Sequence, residues 1–120
     1  MDIILDTNFI VDCAKYRIDF FSEIDRICLF PYKTIILEKS IEELKKINNK
    51  DSKLALQLIK NISLLKHDGK DVDSIILEIA NKDTIVATQD KALKRKLKEK
   101  NIPLITIRQK KYLILNRNIY

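Results

Sequence analysis

The sequence predicts an α/β fold with helices flanking a parallel sheet, and three observations point there. Short, Ile-rich apolar runs alternate with longer stretches of helical spacing, the pattern left when helices cross over between parallel strands. None of those runs contains an internal glycine or proline. The chain has 120 residues and 46% hydrophobic content, enough for one domain with its own core, so a single domain over residues 1–120 is expected.

In chain order, strands are expected at 2–5, 33–37, 62–65, 84–87 and 104–107, each too short for a buried helix. Between them, 8–16, 19–28, 40–48, 52–61, 71–81 and 90–100 carry helical periodicity, and several open on an Asp, Asn or Ser able to cap a first turn. The basic and aromatic stretch 110–120 is expected to form a last strand or a docking arm. There is no internal repeat, no Pro- or Ser-rich linker and no low-complexity tail.

Composition removes several kinds of chemistry. With one Gly in the chain, neither the dinucleotide fingerprint nor the phosphate-cradling P-loop can be written. One His and two Cys cannot supply the common zinc sets, and a hydrolytic triad would have to run through His67, which has no serine neighbour in sequence. His67 reads as a turn or surface residue, and Cys13 and Cys28 as core packing. Lys and Arg number 23 against 17 Asp and Glu, a formal charge of +6, so polyanions lead the expected partners. The start MDIILD has an acid where a signal peptide carries basic residues, and no apolar run approaches the roughly 18 residues of a membrane span. A reduced, cytoplasmic protein is expected.

The remaining chemistry belongs to carboxylates. In an open parallel sheet, functional groups collect beyond the carboxyl ends of the strands, where the strand order reverses. Asp6 directly follows the first strand, and Asp90 follows the fourth after Thr88 and Gln89. Either acid alone reads as a helix cap. Together at neighbouring strand ends they suggest a site for a hard cation, because like charges drive each other towards protonation unless a metal ion holds both ionised.

The opening IILDTNFIVD, the segment SIEELKKI, the stretch DVDSIILEIA and the segment IVATQDKALKRKL follow one another in the order and rough spacing of the PIN-domain nucleases, which the chain resembles over nearly its whole length. The late segment TIVATQDKALKRKLKEKNIPLITIRQKKYLIL is especially similar to the branch concerned with ribosomal RNA processing. The resemblance implies an α/β/α sandwich around a five-stranded parallel sheet of order 3-2-1-4-5. It also implies acids that bind Mg2+ or Mn2+ and hydrolyse RNA as an endoribonuclease. Implied partners are RNA, ribosomal precursor particles or an antitoxin, and a second copy of the chain as a homodimer.

Carried over residue by residue, the resemblance places Asp6 at the end of the first strand, with Thr7 and Asn8 as its polar companions; Asn8 orients Asp6 or caps the helix. The second acid falls in SIEELKKI. At about 100° per residue, Ile41, Leu44 and Ile47 define the buried stripe, with Glu42 opposite it and Glu43 on its flank, where the resemblance also falls. For the third acid the helical wheel does not choose, since Asp71 and Asp73 flank the stripe of Val72, Ile75, Ile76 and Ile79 at similar angles. The resemblance selects Asp73 and leaves Asp71 as a cap, with Asp68 in the Asp-Gly turn. The fourth is Asp90, with Thr88 in the hydroxyl position; where many relatives carry a further acid, this chain has Ala92. A phosphate-attracting surface is expected from Lys91, Lys94 and Arg95, extended by Arg108, Lys110 and Lys111, with Lys15 and Arg17 continuing its rim. Lys91 stands at a helix start, where a cation opposes the macrodipole, so phosphate attraction explains its place better than helix stability does. Tyr112 is expected to anchor the tail or stack on an unpaired base.

Overall fold

A computed structural model describes residues 1–117. The strands are β1 (Asp2–Leu5), β2 (Lys33–Leu37), β3 (Ser63–Leu65), β4 (Thr84–Ala87), β5 (Leu104–Arg108) and β6 (Tyr112–Asn116). The helices are α1 (Thr7–Lys15), α2 (Phe20–Ile27), α3 (Glu38–Ile47), α4 (Lys50–Leu58), α5 (Val72–Ile79) and α6 (Lys91–Glu99). Every expected strand and helix is present, with ends moved by one to three residues at most.

The sheet has the order β3-β2-β1-β4-β5-β6. The first five strands run parallel in the expected order, and β6 turns back antiparallel on β5. A five-stranded sheet is therefore extended by one strand, which settles the stretch after residue 110 as strand rather than arm; residues 118–120 lie outside the described part. β6 is added because Tyr112, Leu113, Ile114 and Leu115 continue an apolar run directly after a tight turn, and such a turn can return a strand only antiparallel.

Alternation along each strand divides the core in two. Ile3, Leu5, Ile36, Ile85, Ala87 and Ile105 face one side, where α1, α2, α3 and α4 supply Phe9, Phe20, Ile24, Leu44 and Ala55. Ile4, Leu37, Val86 and Leu104 face the other, against Val72, Ile75 and Ile76 of α5 and Leu93 and Leu97 of α6. Both sides of the central strands are buried, which is why they read as unbroken apolar runs.

The helix starts show where capping chemistry differs from expectation. α1 is capped by Asp6 rather than Asn8, and α4 by Asn49, whose side chain and that of Ser52 reciprocally satisfy each other's backbone N–H groups. α3 begins at Glu38 without a side-chain cap, because it follows β2 directly and Leu37 occupies the capping position. Ser40 is thus inside the first turn, where its buried Oγ has no hydrogen-bond partner. Ile47, expected in the buried stripe of α3, is 42% exposed at the last turn, because the helix end projects past the core.

An unpartnered buried hydroxyl lowers stability. Ser40→Ala is expected to raise the unfolding free energy by about 1 kcal/mol, whereas Phe9→Ala, which empties a fully buried site, lowers it by about 3–5 kcal/mol; urea unfolding of both variants measures this.

Candidate active site

The register of β1 with its two neighbours determines where the first carboxylate sits. Leu5 pairs with Ile36 of β2 and with Ala87 of β4, so these strands end at one level. The chain runs from β1 outward through β2 to β3, then crosses to β4 on the other side, making the β1–β4 boundary the point where strand order reverses. Asp6 emerges there, with its N–H bonded to the Ala87 carbonyl at 2.9 Å.

Asp6 is only 3% exposed. Its Oδ1 accepts the Thr7 N–H at 2.9 Å, and its Oδ2 accepts the Thr88 hydroxyl at 2.7 Å across the strand boundary. Thr88 Oγ1 in turn accepts the Asp90 N–H at 3.1 Å, and Asp90 Oδ1 caps α6 by accepting the Leu93 N–H at 3.0 Å. On the opposite wall, the Thr7 hydroxyl donates to Glu43 Oε1 at 2.7 Å. Two buried threonines thus connect three acids contributed by three parts of the chain. Capping does not remove Asp6 or Asp90 from further chemistry, since a carboxylate has about four acceptor positions.

Asp6, Thr7, Asn8, Glu43, Asp71, Asp73 and Asp90 line one cleft of about 650 Å³. Glu42 lies outside it, in smaller recesses beside Lys39. Asp71 and Asp73 both reach the cleft, but their surroundings differ. Asp71 caps α5, and its bond from the Ser74 N–H holds its carboxyl below the usual range. Asp73 is pushed up by partial burial and then by the charges of Asp90, Asp71 and Glu43, with Lys96 opposing. Asn8 is exposed on the wall and does not cap.

Burial raises the Asp6 carboxyl from 3.8 to about 6, with Asp73 and Asp90 adding to the effect and the bonds from Thr88 and Thr7 opposing it. Among the described residues, the ion pairs within 4 Å are Arg26–Glu23 and the neutral-or-charged His67–Glu78 contact, so none of the cleft acids is paired with a lysine or arginine. Also among the described residues, no three Asp, Glu, His or Cys side chains converge closely enough to hold an ion as they stand.

Sequence reading missed three cleft residues, Lys46, Ile47 and Val72, the last two being expected only in buried stripes. Lys46 lies one turn after Glu43 on α3, and its place on the cleft wall is set by the packing of that helix. The basic residues fall in two groups. Lys91, Lys94, Arg95 and Lys98 line a separate recess of about 500 Å³ along α6, where burial and then Lys98 and Lys91 lower the Lys94 ammonium. Arg108, at the end of β5, and Lys110 and Lys111, in the turn after it, are exposed and line neither recess. Tyr112 is half-buried on β6. His67 accepts the Gly69 N–H on Nδ1 and approaches Glu78 at 3.2 Å through Nε2, while burial raises the thiols of Cys13, to about 12, and Cys28. Among the described residues, no helix is long and apolar enough to cross a membrane.

Comparison with known proteins adds three findings. Residues 3–110 match the family model described as a PIN like domain. Ribonuclease VapC4 of Methanocaldococcus jannaschii is 40% identical over 121 residues, covering 92% of each chain. Among solved structures, the PIN domain endonuclease Utp24 is similar with a TM-score of 0.83 at 26% identity, over 98% of this chain and 92% of that one. VapBC-1 from nontypeable Haemophilus influenzae shares the fold, with a TM-score of 0.52 at 15% identity over 82% and 94%.

The raised Asp6 carboxyl makes the folded protein bind a proton more tightly than the unfolded chain. The stability associated with that proton is fully present below 3.8 and is lost as pH rises through about 6. In metal-free buffer, Asp6→Asn is expected to be more stable than wild type at pH 7 by about 2–3 kcal/mol, and the difference closes as the pH falls below 3.8. Urea unfolding at the two pH values measures it.

Proposed function

This chain belongs to the PIN-like domain family, and from that premise we propose that it is a metal-dependent endoribonuclease hydrolysing RNA phosphodiester bonds, with residues 1–120 as one domain. The observation that carries the reading is the buried Asp6 carboxylate, oriented by Thr7 and Thr88 at the floor of a cleft that also holds Glu43, Asp73 and Asp90 and no ion-paired cation among the described residues. A purely structural buried acid is ordinarily neutralised by a partner. The names of the VapC4 ribonuclease and the Utp24 endonuclease support the same reaction class.

The donor set suits a hard divalent ion, since every donor is a carboxylate oxygen, the ligand type favoured by Mg2+ and Mn2+. Asp6, Glu43, Asp73 and Asp90 would hold it. Asp6 is fixed by burial and Glu43 is oriented by the Thr7 hydroxyl, whereas the Asp73 side chain is exposed, so closing the set would take side-chain movement rather than backbone rearrangement. A divalent ion there would neutralise the scissile phosphate and lower the pKa of an attacking water. Thr88 keeps both Asp6 and the Asp90 backbone in place, and Thr7 does the same for Asp6 and Glu43, so each threonine orients two acids at once. Ala92 supplies no further carboxylate, and a second ion would need substrate phosphate oxygens to complete its ligands.

The basic recess of Lys91, Lys94 and Arg95 on α6 would hold the RNA backbone. The late-segment resemblance favours ribosomal RNA processing in the cytoplasm as the role. The identity to ribonuclease VapC4 favours a second reading on the same chemistry, a toxin ribonuclease held by an antitoxin. Copurification with precursor ribosomal particles, or with a small antitoxin, separates the two.

Purified protein with single-stranded RNA is expected to cleave it internally with Mg2+ or Mn2+ and not with EDTA. Thr88→Val lowers kcat/KM by about 10- to 100-fold, the range for groups that orient a metal ligand, and Asp6→Asn lowers it further. RNA bound by both wild type and Asp6→Asn but cut by neither would replace the enzyme with a binding module.

A further inference from the structure

Away from the acidic cleft, two lysine ammonium groups gather around one aromatic ring. Tyr16 follows the last residue of α1, and Lys15 Nζ lies 5.6 Å from the centre of its ring. Lys110 Nζ, from the turn between β5 and β6, lies 5.7 Å from the same centre. Two like charges drawn to one ring repel each other, and an exposed cation gains little from the ring alone. Among the described residues neither lysine forms an ion pair with a carboxylate. Asp12, one turn earlier on α1, feels the charge of Lys15 without pairing with it.

The backbone that carries Lys110 is also unusual. Gln109 and Lys110 have φ of 55° and 56°, and the Lys111 N–H closes the turn on the Arg108 carbonyl at 3.1 Å. Tight hairpin turns with two successive left-handed residues are ordinarily built from Asn and Gly, because side chains with a Cβ disfavour that region. Here Gln and Lys hold it, and the consequence is an ammonium group kept over Tyr16. Neither the turn nor the ring requires a lysine at this position, whereas an anion held between the two ammonium groups would relieve their repulsion.

We propose that Lys15, Tyr16 and Lys110 form a subsite for a phosphodiester group of the RNA strand outside the acidic cleft, with Tyr16 the platform that positions both ammonium groups. The subsite rests on the ribonuclease reading and extends it by assigning where a flanking part of the substrate is held. Asn8 on the cleft wall and Tyr16 are separated along α1 by about 12 Å at about 1.5 Å per residue, so a strand lying in the cleft reaches the subsite within a few nucleotides. Because the ring is already attended by ammonium groups, the subsite selects backbone charge and not base identity.

The test uses the full chain carrying Asp6→Asn, so that RNA is bound without being cut, and fluorescence anisotropy with labelled single-stranded oligoribonucleotides of about four and about twelve nucleotides. Lys110→Ala and Tyr16→Leu are each expected to weaken binding of the longer RNA several-fold. Each should also reduce the slope of log affinity against log salt by about 0.7, the loss of one phosphate contact on a single strand. The shorter RNA is expected to bind unchanged, and Tyr16→Phe, which keeps the ring, to behave as the parent. Unchanged affinity and slope in Lys110→Ala, with the parent binding RNA, would overturn the subsite and leave the nuclease reading standing. Equal losses on short and long RNA would overturn it too, by assigning the effect to the cleft. A Tyr16→Phe loss as large as that of Tyr16→Leu would remove the platform role, and a parent that binds no RNA would overturn both readings.

Discussion

The hydrogen bond from the Thr88 hydroxyl to Asp6 crosses between the two halves of the sheet, which the β1–β4 ladder joins, at the place where chemistry is possible. It joins residues 82 positions apart in sequence, at the ends of the two parallel strands between which the strand order reverses. Because β1 and β4 end in register, the hydroxyl reaches the carboxylate without a loop having to be shaped for it. Asp6 begins α1 and Asp90 begins α6, so the positions of two helices also depend on this boundary. The acids are therefore held by the main architecture, and a mobile segment is not needed to bring them together.

The charge distribution opposes what the net charge suggests. The molecule is basic by +6, yet its central cleft is lined by five acids and one lysine. Much of the positive charge lies outside it, including the basic residues along α6 and at the turn after β5. Such a separation attracts a polyanion at long range and then presents it with carboxylates at short range, where a phosphate would be repelled unless a cation intervened. Acids left unpaired by lysine, a carboxyl raised to about 6 by burial, and a basic surround belong to one electrostatic arrangement. It is costly for the protein alone, since burial and neighbouring like charges both disfavour the ionised form of a carboxyl group.

Particular residues show how far sequence reading reaches. Wheel geometry and resemblance select Glu43 over Glu42, and Glu43 lies on the cleft wall because a residue on the flank of a buried stripe meets the neighbouring element. The same reasoning failed for Ile47, since periodicity does not tell where a helix runs off the edge of the core. Asp71 and Asp73 were equivalent on the wheel. Their difference lies in which one uses its carboxylate on its own helix start and which one faces Asp90 and Glu43. Asn8 and Ser40 had the composition of caps, but the capping position is decided by where the preceding strand ends.

By itself, the sequence determined the strands, the helices and the acids at the ends of the first and fourth strands. Each follows from interactions among neighbours a few positions apart: alternation along a pleated strand, the 3.6-residue repeat and the ready capping of a first turn by a carboxylate. The tertiary structure alone decided that Thr7 holds Glu43, that Thr88 holds Asp6, that Lys46 enters the cleft and that Lys110 comes to rest over Tyr16. Those contacts join side chains from elements far apart in the chain. Their partners are set by strand register and helix packing, which no local periodicity contains.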